Sequence, residues 1–289
     1  MGKGRRSLRL GWKLYLMRFF RMRTLVVFVL LFLAFDYNCM VMEQAVRQMD
    51  YPVSPWYVLN IMTDSFMCGV VGLSVVYLFA EAPYLNRNGM YQMVRCGKET
   101  WAAAQVVSIV FSSFTMTAGI FLMVICRMWG KLDWTADWGK MMNTMAQTNA
   151  ATQFGIPFSM SYSFMQTMEG WQAGILAFVL DGLVFCLLGF LLFGIGLSMN
   201  RIGALAFTGF LAVLPLVEDG ILPNWKYYFH IVSPVSWLRT GLFASKDLVY
   251  WVMPSVEMVF LFLGVYLGLS LCLVVVGVKW NRFDWNREE

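Results

Sequence analysis

Three aspartates lie inside long apolar stretches of the sequence, at Asp36, Asp64 and Asp181. An ionisable side chain is costly to bury in an apolar stretch, so such a residue is a functional candidate by default. At ~1.5 Å rise per residue, all three carboxylates are predicted at one level, roughly 9 to 13 Å from the outer membrane edge. We interpret them as a substrate path for a cationic or amphipathic cargo. The alternative is that each is uncharged, or satisfied separately by hydroxyl and backbone partners in helix packing.

Residue combinations for catalysis or metal binding are scarce. The chain has one histidine, His230, and six cysteines without a CxxC pair. It contains no HExxH motif and no GxxxxGK[ST] phosphate loop. We therefore interpret the cysteines as small buried residues and expect neither a metal nor a cofactor in this chain. A copper site in the methionine-rich segment 127–171 is a further alternative, which the single histidine disfavours.

The carboxylates must be positioned by membrane helices. Of the 289 residues, 59% are hydrophobic and 13% are charged, whereas soluble domains are about half apolar and about a quarter charged. Apolar runs of spanning length predict an all-α integral membrane protein with one domain over residues 1–289. The six predicted spans are residues 25–43, 58–80, 101–126, 172–199, 202–217 and 255–278.

The distribution of basic residues predicts the orientation. Lys and Arg accumulate in cytoplasmic loops. With six spans, 15 of the 22 basic residues fall on the side that carries both termini, and 7 fall on the other. We therefore predict a multi-pass cell-membrane protein with both termini in the cytoplasm and outer loops at 127–171 and 218–254. This distribution accounts for the positive charge without a nucleic-acid partner.

Four segments outside the spans carry further predictions. Residues 1–23 mix basic and apolar residues and predict an interfacial helix on the inner leaflet, the alternative being a plain basic anchor. Residues 81–105 predict a short cytoplasmic helix, either a contact for a soluble partner or a solvated connector. Residues 218–254 are aromatic and broken by Pro, which predicts two short re-entrant or surface helices. Residues 127–171 predict an interfacial cap or an adaptable surface for cargo.

The order of these segments resembles the ABC-2 type (type-2 ABC exporter) permease family. The local matches are RNGMYQMVRCGKETW (Arg87–Trp101), which contains Gly97-Lys98, and SPVSWL (Ser233–Leu238), which contains Ser233-Pro234. The likeness covers nearly the whole chain in layout, although its motifs are loose. The outer segment 127–171 is longer than the family pattern leads us to expect.

The resemblance implies a permease that pairs with a second copy or a paralogue and exports an amphipathic substrate such as a peptide or lipid. It also implies a cytoplasmic ABC ATPase subunit that carries the ATP. Position in the family pattern implies coupling contacts to that ATPase at Arg9, Lys13, Tyr84, Arg87, Arg95 and Lys98.

Other functions remain open at this point. A non-transporting immunity or sensor protein could keep the same fold, because fold does not fix function. An intramembrane enzyme is disfavoured by the absence of a nucleophile paired with a base. A secondary transporter is disfavoured by the absence of a visible internal repeat.

Overall fold

The chain folds mainly into α-helices. A computed structural model describes residues 3–84, 87–148, 150–243, 246–247, 250–251 and 253–280. Within these ranges the α-helices are α1 (Lys3–Phe19), α2 (Met22–Met49), α3 (Val58–Ile61), α4 (Ser65–Phe79), α5 (Arg87–Cys96), α6 (Lys98–Arg127), α7 (Gly139–Gln147), α8 (Ala150–Gln153), α9 (Tyr162–Thr167), α10 (Gly170–Ser198), α11 (Arg201–Val213), α12 (Pro223–Val232) and α13 (Val256–Trp280). The 3₁₀ helices are Pro55–Tyr57, Trp129–Lys131, Leu214–Gly220, Pro234–Leu238 and Thr240–Leu242, and two short strands, β1 (Lys246–Asp247) and β2 (Tyr250–Trp251), pair antiparallel.

Several of these helices can cross a membrane. In the described part of the chain, five are long and apolar enough, and a sixth span results if one bent helix pair is counted. The five are α2, α6, α10, α13, and α11 together with the 3₁₀ residues that follow it. Such helices satisfy their backbone groups internally, which lipid requires. The predicted all-α, multi-pass membrane protein is confirmed at this level.

The prediction of one continuous helix over the second predicted span, 58–80, is wrong. Residues Pro55–Ile61 and α4 meet at 91°. The break follows from Asp64, whose extended backbone (φ −70°, ψ 125°) stops the first helix and whose carboxylate caps the second. A capping aspartate offers the first backbone N–H groups of a new helix an acceptor, so an apolar run can end and restart there.

Helix α10 forms the centre of the bundle. Two thirds of the residues in the most apolar stretch of α10 are buried. The corresponding share is 22% for α13, which packs on α10. A capping box between Glu169 and Gln172 begins α10. The outward side chains of α13 remain apolar, as at Leu261 and Leu269. Apolar residues on this face suit contact with lipid.

One end of the bundle, here called the basal end, carries α1, residues 79–84 and α5. Helix α1 packs against α6 so closely that a Cβ at Gly11 would lie 2.9 Å from the Ala104 carbonyl oxygen. Between α5 and α6 the chain turns at Gly97, whose φ of +81° is one that glycine adopts readily. The predicted helices at the N-terminus and between the second and third spans are both present.

The opposite end, here called the cap end, carries the described residues of the ranges 50–64, 128–169 and 214–254. Val53 and Leu132 form a backbone bridge there. Most methionine side chains of the range 128–169 are buried, including Met141, Met142 and Met145. They therefore form core packing, and the predicted adaptable cargo surface is wrong for these side chains. The predicted pair of short helices in 218–254 is present as α12 and the following 3₁₀ segment, with the break at Pro234.

Candidate functional site

Asp36 belongs to an ion network between α2 and α6. Its Oδ1 accepts a hydrogen bond from Arg127 Nε at 2.6 Å. Arg127 also binds Glu43 at 3.0 Å, and Glu43 pairs in turn with Lys131 and Arg47. The carboxylate of Asp36 therefore has a counter-ion within its own chain.

Asp64 lies at the bend between Pro55–Ile61 and α4. Its two carboxylate oxygens accept from the backbone N–H groups of Phe66 and Met67 at 3.2 and 3.4 Å. The side chain is half-buried. Asp64 therefore shapes the bend directly, and it places a carboxylate at the N-terminal end of α4.

Asp181 lies in the middle of α10 and is 2% exposed. Its Oδ1 makes no hydrogen bond within the described residues. Asp181 and Asp64 both lie close enough to the Cys68 thiol to interact with it electrostatically, as does Arg239. Two of the three predicted carboxylates thus act electrostatically on the same thiol. Asp36 belongs to the separate network with Arg127.

A second group of charges is buried at the cap end. This cap ion cluster consists of Glu218, His230 and Arg239, which are 3%, 0% and 7% exposed. Arg239 Nη1 pairs with Glu218 Oε2, and His230 Nε2 lies 3.3 Å from Glu218 Oε1. Arg239 Nε also donates to the carbonyl oxygen of Thr63 at 2.7 Å. The cluster therefore joins three elements: the 3₁₀ helix after α11, helix α12, and the bend before α4.

Polar side chains surround this cluster. The Thr63 hydroxyl bonds to the Asn60 and Ser159 carbonyl oxygens at 2.7 and 3.0 Å. The side chains of Asn60 and Thr240 are buried and make no hydrogen bond within the described residues. Buried polar groups without partners are costly, and they are often functional or hold water. The cap end thus contains a polar interior in an otherwise apolar protein.

Burial, together with the positive charge of Lys226, lowers the pKa of His230 to about 4. Glu218 acts in the opposite direction from 3.3 Å. Because Glu218 already has Arg239 as its counter-ion, we take burial to dominate and His230 to be neutral at pH 7. Burial also lowers the pKa of Arg239, although its contact with Glu218 keeps it charged.

Sequence reasoning missed the cap ion cluster. Its members are separated by 12 and 9 positions and share no helical periodicity. The available signal was a lone histidine and an arginine within an aromatic, proline-broken segment. Both residues were predicted only to lie in an outer loop.

The basal end holds the predicted coupling residues. Arg9, Lys13, Arg95 and Lys98 are exposed, as an interaction surface requires. Tyr84 is 7% exposed and lies under the Arg18 guanidinium at 3.6 Å, so its ring supports Arg18 from inside and is not part of the surface. Arg87 begins α5, but its side chain lies outside the described residues.

Among the described residues, no group of three or more His, Cys, Asp or Glu side chains could hold a metal ion. Comparison with protein-family models, with curated proteins and with solved structures gave no match to this chain. Its function is therefore argued from the sequence pattern and from the geometry above.

Proposed function

We propose that this chain is the membrane permease subunit of an ABC exporter and is energised by a separate ATPase chain. In this proposal the bent helix pair is the second of six spans, and both termini lie in the cytoplasm. The basal end then faces the cytoplasm and the cap end faces outward. The resemblance to ABC-2 permeases and the distribution of basic residues support this arrangement.

Helix α5 is the observation that carries the proposal. It is a ten-residue helix between α4 and α6, and Met93 on its inner face is buried. Its other face exposes Tyr91 and Val94 by 56% and 67%, next to the exposed Arg95. Aromatic and arginine side chains are enriched at protein interfaces. A short helix that shows such a face at the basal end suits contact with a soluble protein.

The proposed partner of this face is the ATPase subunit. The chain contains no phosphate loop, so ATP chemistry requires another chain. Arg9, Lys13, Arg95 and Lys98 give the basal surface a positive charge, which favours an acidic partner surface. In the proposed complex α5 transmits the movement of the ATPase to α4 and α6, which precede and follow it in the sequence.

A second permease copy or a paralogue completes the proposed transporter. Only 33% and 22% of the residues in the most apolar stretches of α2 and α13 are buried, which leaves broad apolar faces on both helices. Lipid and a partner permease would share these faces. The apolar faces of α2 and α13 are equally suitable in chemistry for contact with the second permease chain.

The proposed substrate is amphipathic and moves outward, as a peptide or a lipid would. The supporting features are the electrostatic action of Asp64 and Asp181 on the same buried thiol, Cys68, and the polar interior of the cap end. Carboxylates at this place favour a cationic group on the cargo. Asp36 is already paired with Arg127, so its proposed role is secondary.

Purification of the tagged chain from its native membranes tests the proposal. We expect an ATPase with a phosphate loop to co-purify in about stoichiometric amount. Charge reversal at Arg95 and Lys98 should abolish its capture, whereas Lys140→Glu, an exposed change at the cap end, should not. If no such ATPase is captured, the permease proposal fails, and a non-transporting membrane protein becomes the better account.

A further inference from the structure

A small pocket, about 30 Å³ in volume, lies at the basal end, where α1 turns into α2. Its walls come from α1, α2, α6 and the end of α4. We call it the arginine pocket, after Arg18, Arg21 and Arg23, which line it with Glu81 and Tyr84. None of these side chains is used by the proposed transport path.

The described lining of the pocket has more positive than negative charge. Three guanidinium groups face one carboxylate, Glu81. Glu81 pairs with Arg21 and lies 3.6 Å from Arg23 Nη2. Arg23 Nη1 is buried and has no hydrogen-bond partner within the described residues. The described lining therefore carries two more positive charges than negative ones.

The position of Arg18 is fixed from within the protein. It donates to Ser108 Oγ at 3.0 Å and to Gln105, and it stacks over Tyr84. Gln105 and Ser108 are neutral, so they orient the guanidinium without cancelling its charge. A preorganised arginine is well suited to bind a phosphate group, because its N–H groups match the oxygen geometry.

Five further lining residues are apolar, beside the hydroxyl side chains of Thr24, Ser112 and Thr115. The five apolar residues belong to α1, α2, α4 and α6 and are Phe19, Phe28, Leu78, Phe79 and Met116. Outside the pocket, α2 continues with exposed apolar side chains at Leu25, Val26 and Val29. A ligand that fits both surfaces has an anionic head and a hydrocarbon tail.

We propose that the arginine pocket binds the phosphate headgroup of an anionic membrane lipid, with its acyl chains along the apolar face of α2. The bound phosphate would contact residues from both α1 and α2, and so would hold α1 against the bundle. This inference rests on the membrane-embedded fold and not on the transport function, so either can fail without the other.

Titration of the purified full chain, followed by native mass spectrometry, tests the inference with three probes. Phosphatidic acid has both phosphate and tails, diacylglycerol has the tails alone, and glycerol 3-phosphate has the headgroup alone. We expect phosphatidic acid to bind at least about tenfold more tightly than either of the others. Equal binding of diacylglycerol would overturn the phosphate contact, and equal binding of glycerol 3-phosphate would overturn the lipid.

Three variants separate binding from structural damage. Arg21→Ala with Arg23→Ala should weaken phosphatidic acid binding about tenfold, whereas Arg5→Ala with Arg6→Ala, the same loss of charge at exposed positions of α1, should not. Glu81→Gln removes both ion pairs, which lowers the thermal stability of the lipid-free protein, yet it should tighten phosphatidic acid binding. Weaker binding in Glu81→Gln, or equal loss in both arginine pairs, would overturn the proposal.

Discussion

The Nε–H group of Arg239 donates a hydrogen bond to the carbonyl oxygen of Thr63 over 2.7 Å. The two residues are 176 positions apart in the chain. Thr63 lies at the bend between Pro55–Ile61 and α4, and Arg239 lies in the segment between α12 and α13. Glu218 holds the same guanidinium from a third element. One buried cation therefore links segments of the cap end that are far apart in the sequence.

Replacing Arg239 by Ala should destabilise the protein strongly. Glu218 would remain buried without its counter-ion, and breaking a buried pair in this way costs about 3–5 kcal/mol. The measurement is the free energy of unfolding in detergent. Arg47→Ala is the control, since Arg47 pairs with Glu43 but its side chain is 70% exposed. That change should cost less than about 1 kcal/mol, and equal effects of the two variants would contradict the account.

The stability of the cap end should depend on pH through His230, the only histidine in the chain. Its pKa is about 4 in the folded protein, against 6.5 ordinarily. Above pH 6.5 it is neutral in both the folded and unfolded states. Between pH 6.5 and about 4 only the unfolded state takes up the proton, so stability falls on acidification by about 3 kcal/mol in total.

The difference between wild type and His230→Gln isolates this effect, because other titrating groups are common to both. The unfolding free energies of the two proteins, measured from pH 7 to pH 4, should converge as the pH falls. The wild-type protein should lose more stability than His230→Gln. A difference that grows in favour of wild type on acidification would mean that Glu218 binds a protonated His230.

Adding a side chain at Gly11 should loosen α1. A Cβ there would lie 2.7 Å from Val107 Cγ1 and 2.9 Å from the Ala104 carbonyl oxygen, and the backbone atom cannot rotate away. Gly11→Val should therefore cost about 1–3 kcal/mol and speed proteolysis of residues 3–19. Gly4→Val is the matched control, because nothing lies within 4 Å of a Cβ at Gly4. Similar proteolysis rates in both variants would show that α1 does not depend on this contact.

Cys68 should become accessible when the proposed path opens. It is fully buried beside Asp64, Asp181 and Arg239. In a variant that retains only Cys68, a membrane-impermeant maleimide should label it during ATP hydrolysis by the partner and not at rest. A variant that retains only Cys186, buried in α10, should stay unlabelled in both states. Equal labelling of both cysteines would argue against a path at Cys68.

The sequence predicted the long helices well, because backbone groups in lipid must be hydrogen-bonded within a helix. The break before α4 was missed, although Thr63-Asp64-Ser65 contains residue types that cap helices. Apolar residues on both sides of that tripeptide made the run look continuous. At this position capping by Asp64, and not hydropathy, determines where the helix ends.

The candidate sites were harder to predict, because they depend on distant contacts. Asp36 was expected to face a path, but it meets Arg127, 91 positions later. Tyr84 was expected at a partner surface, but α1 folds back and covers it with Arg18. Neither partner can be found from periodicity within one helix, since both depend on how helices pack.

Photo-crosslinking from α5 tests the central claim most directly. A photoreactive residue at Val94, 67% exposed on α5, should crosslink in native membranes to an ATPase that contains a phosphate loop. The same group at Leu261, 62% exposed on α13, should crosslink only to lipid or to another membrane chain. Adducts to the ATPase at Val94 alone are the predicted result. No ATPase adduct at Val94, with normal expression of the chain, would contradict the proposal that α5 couples this permease to its ATPase.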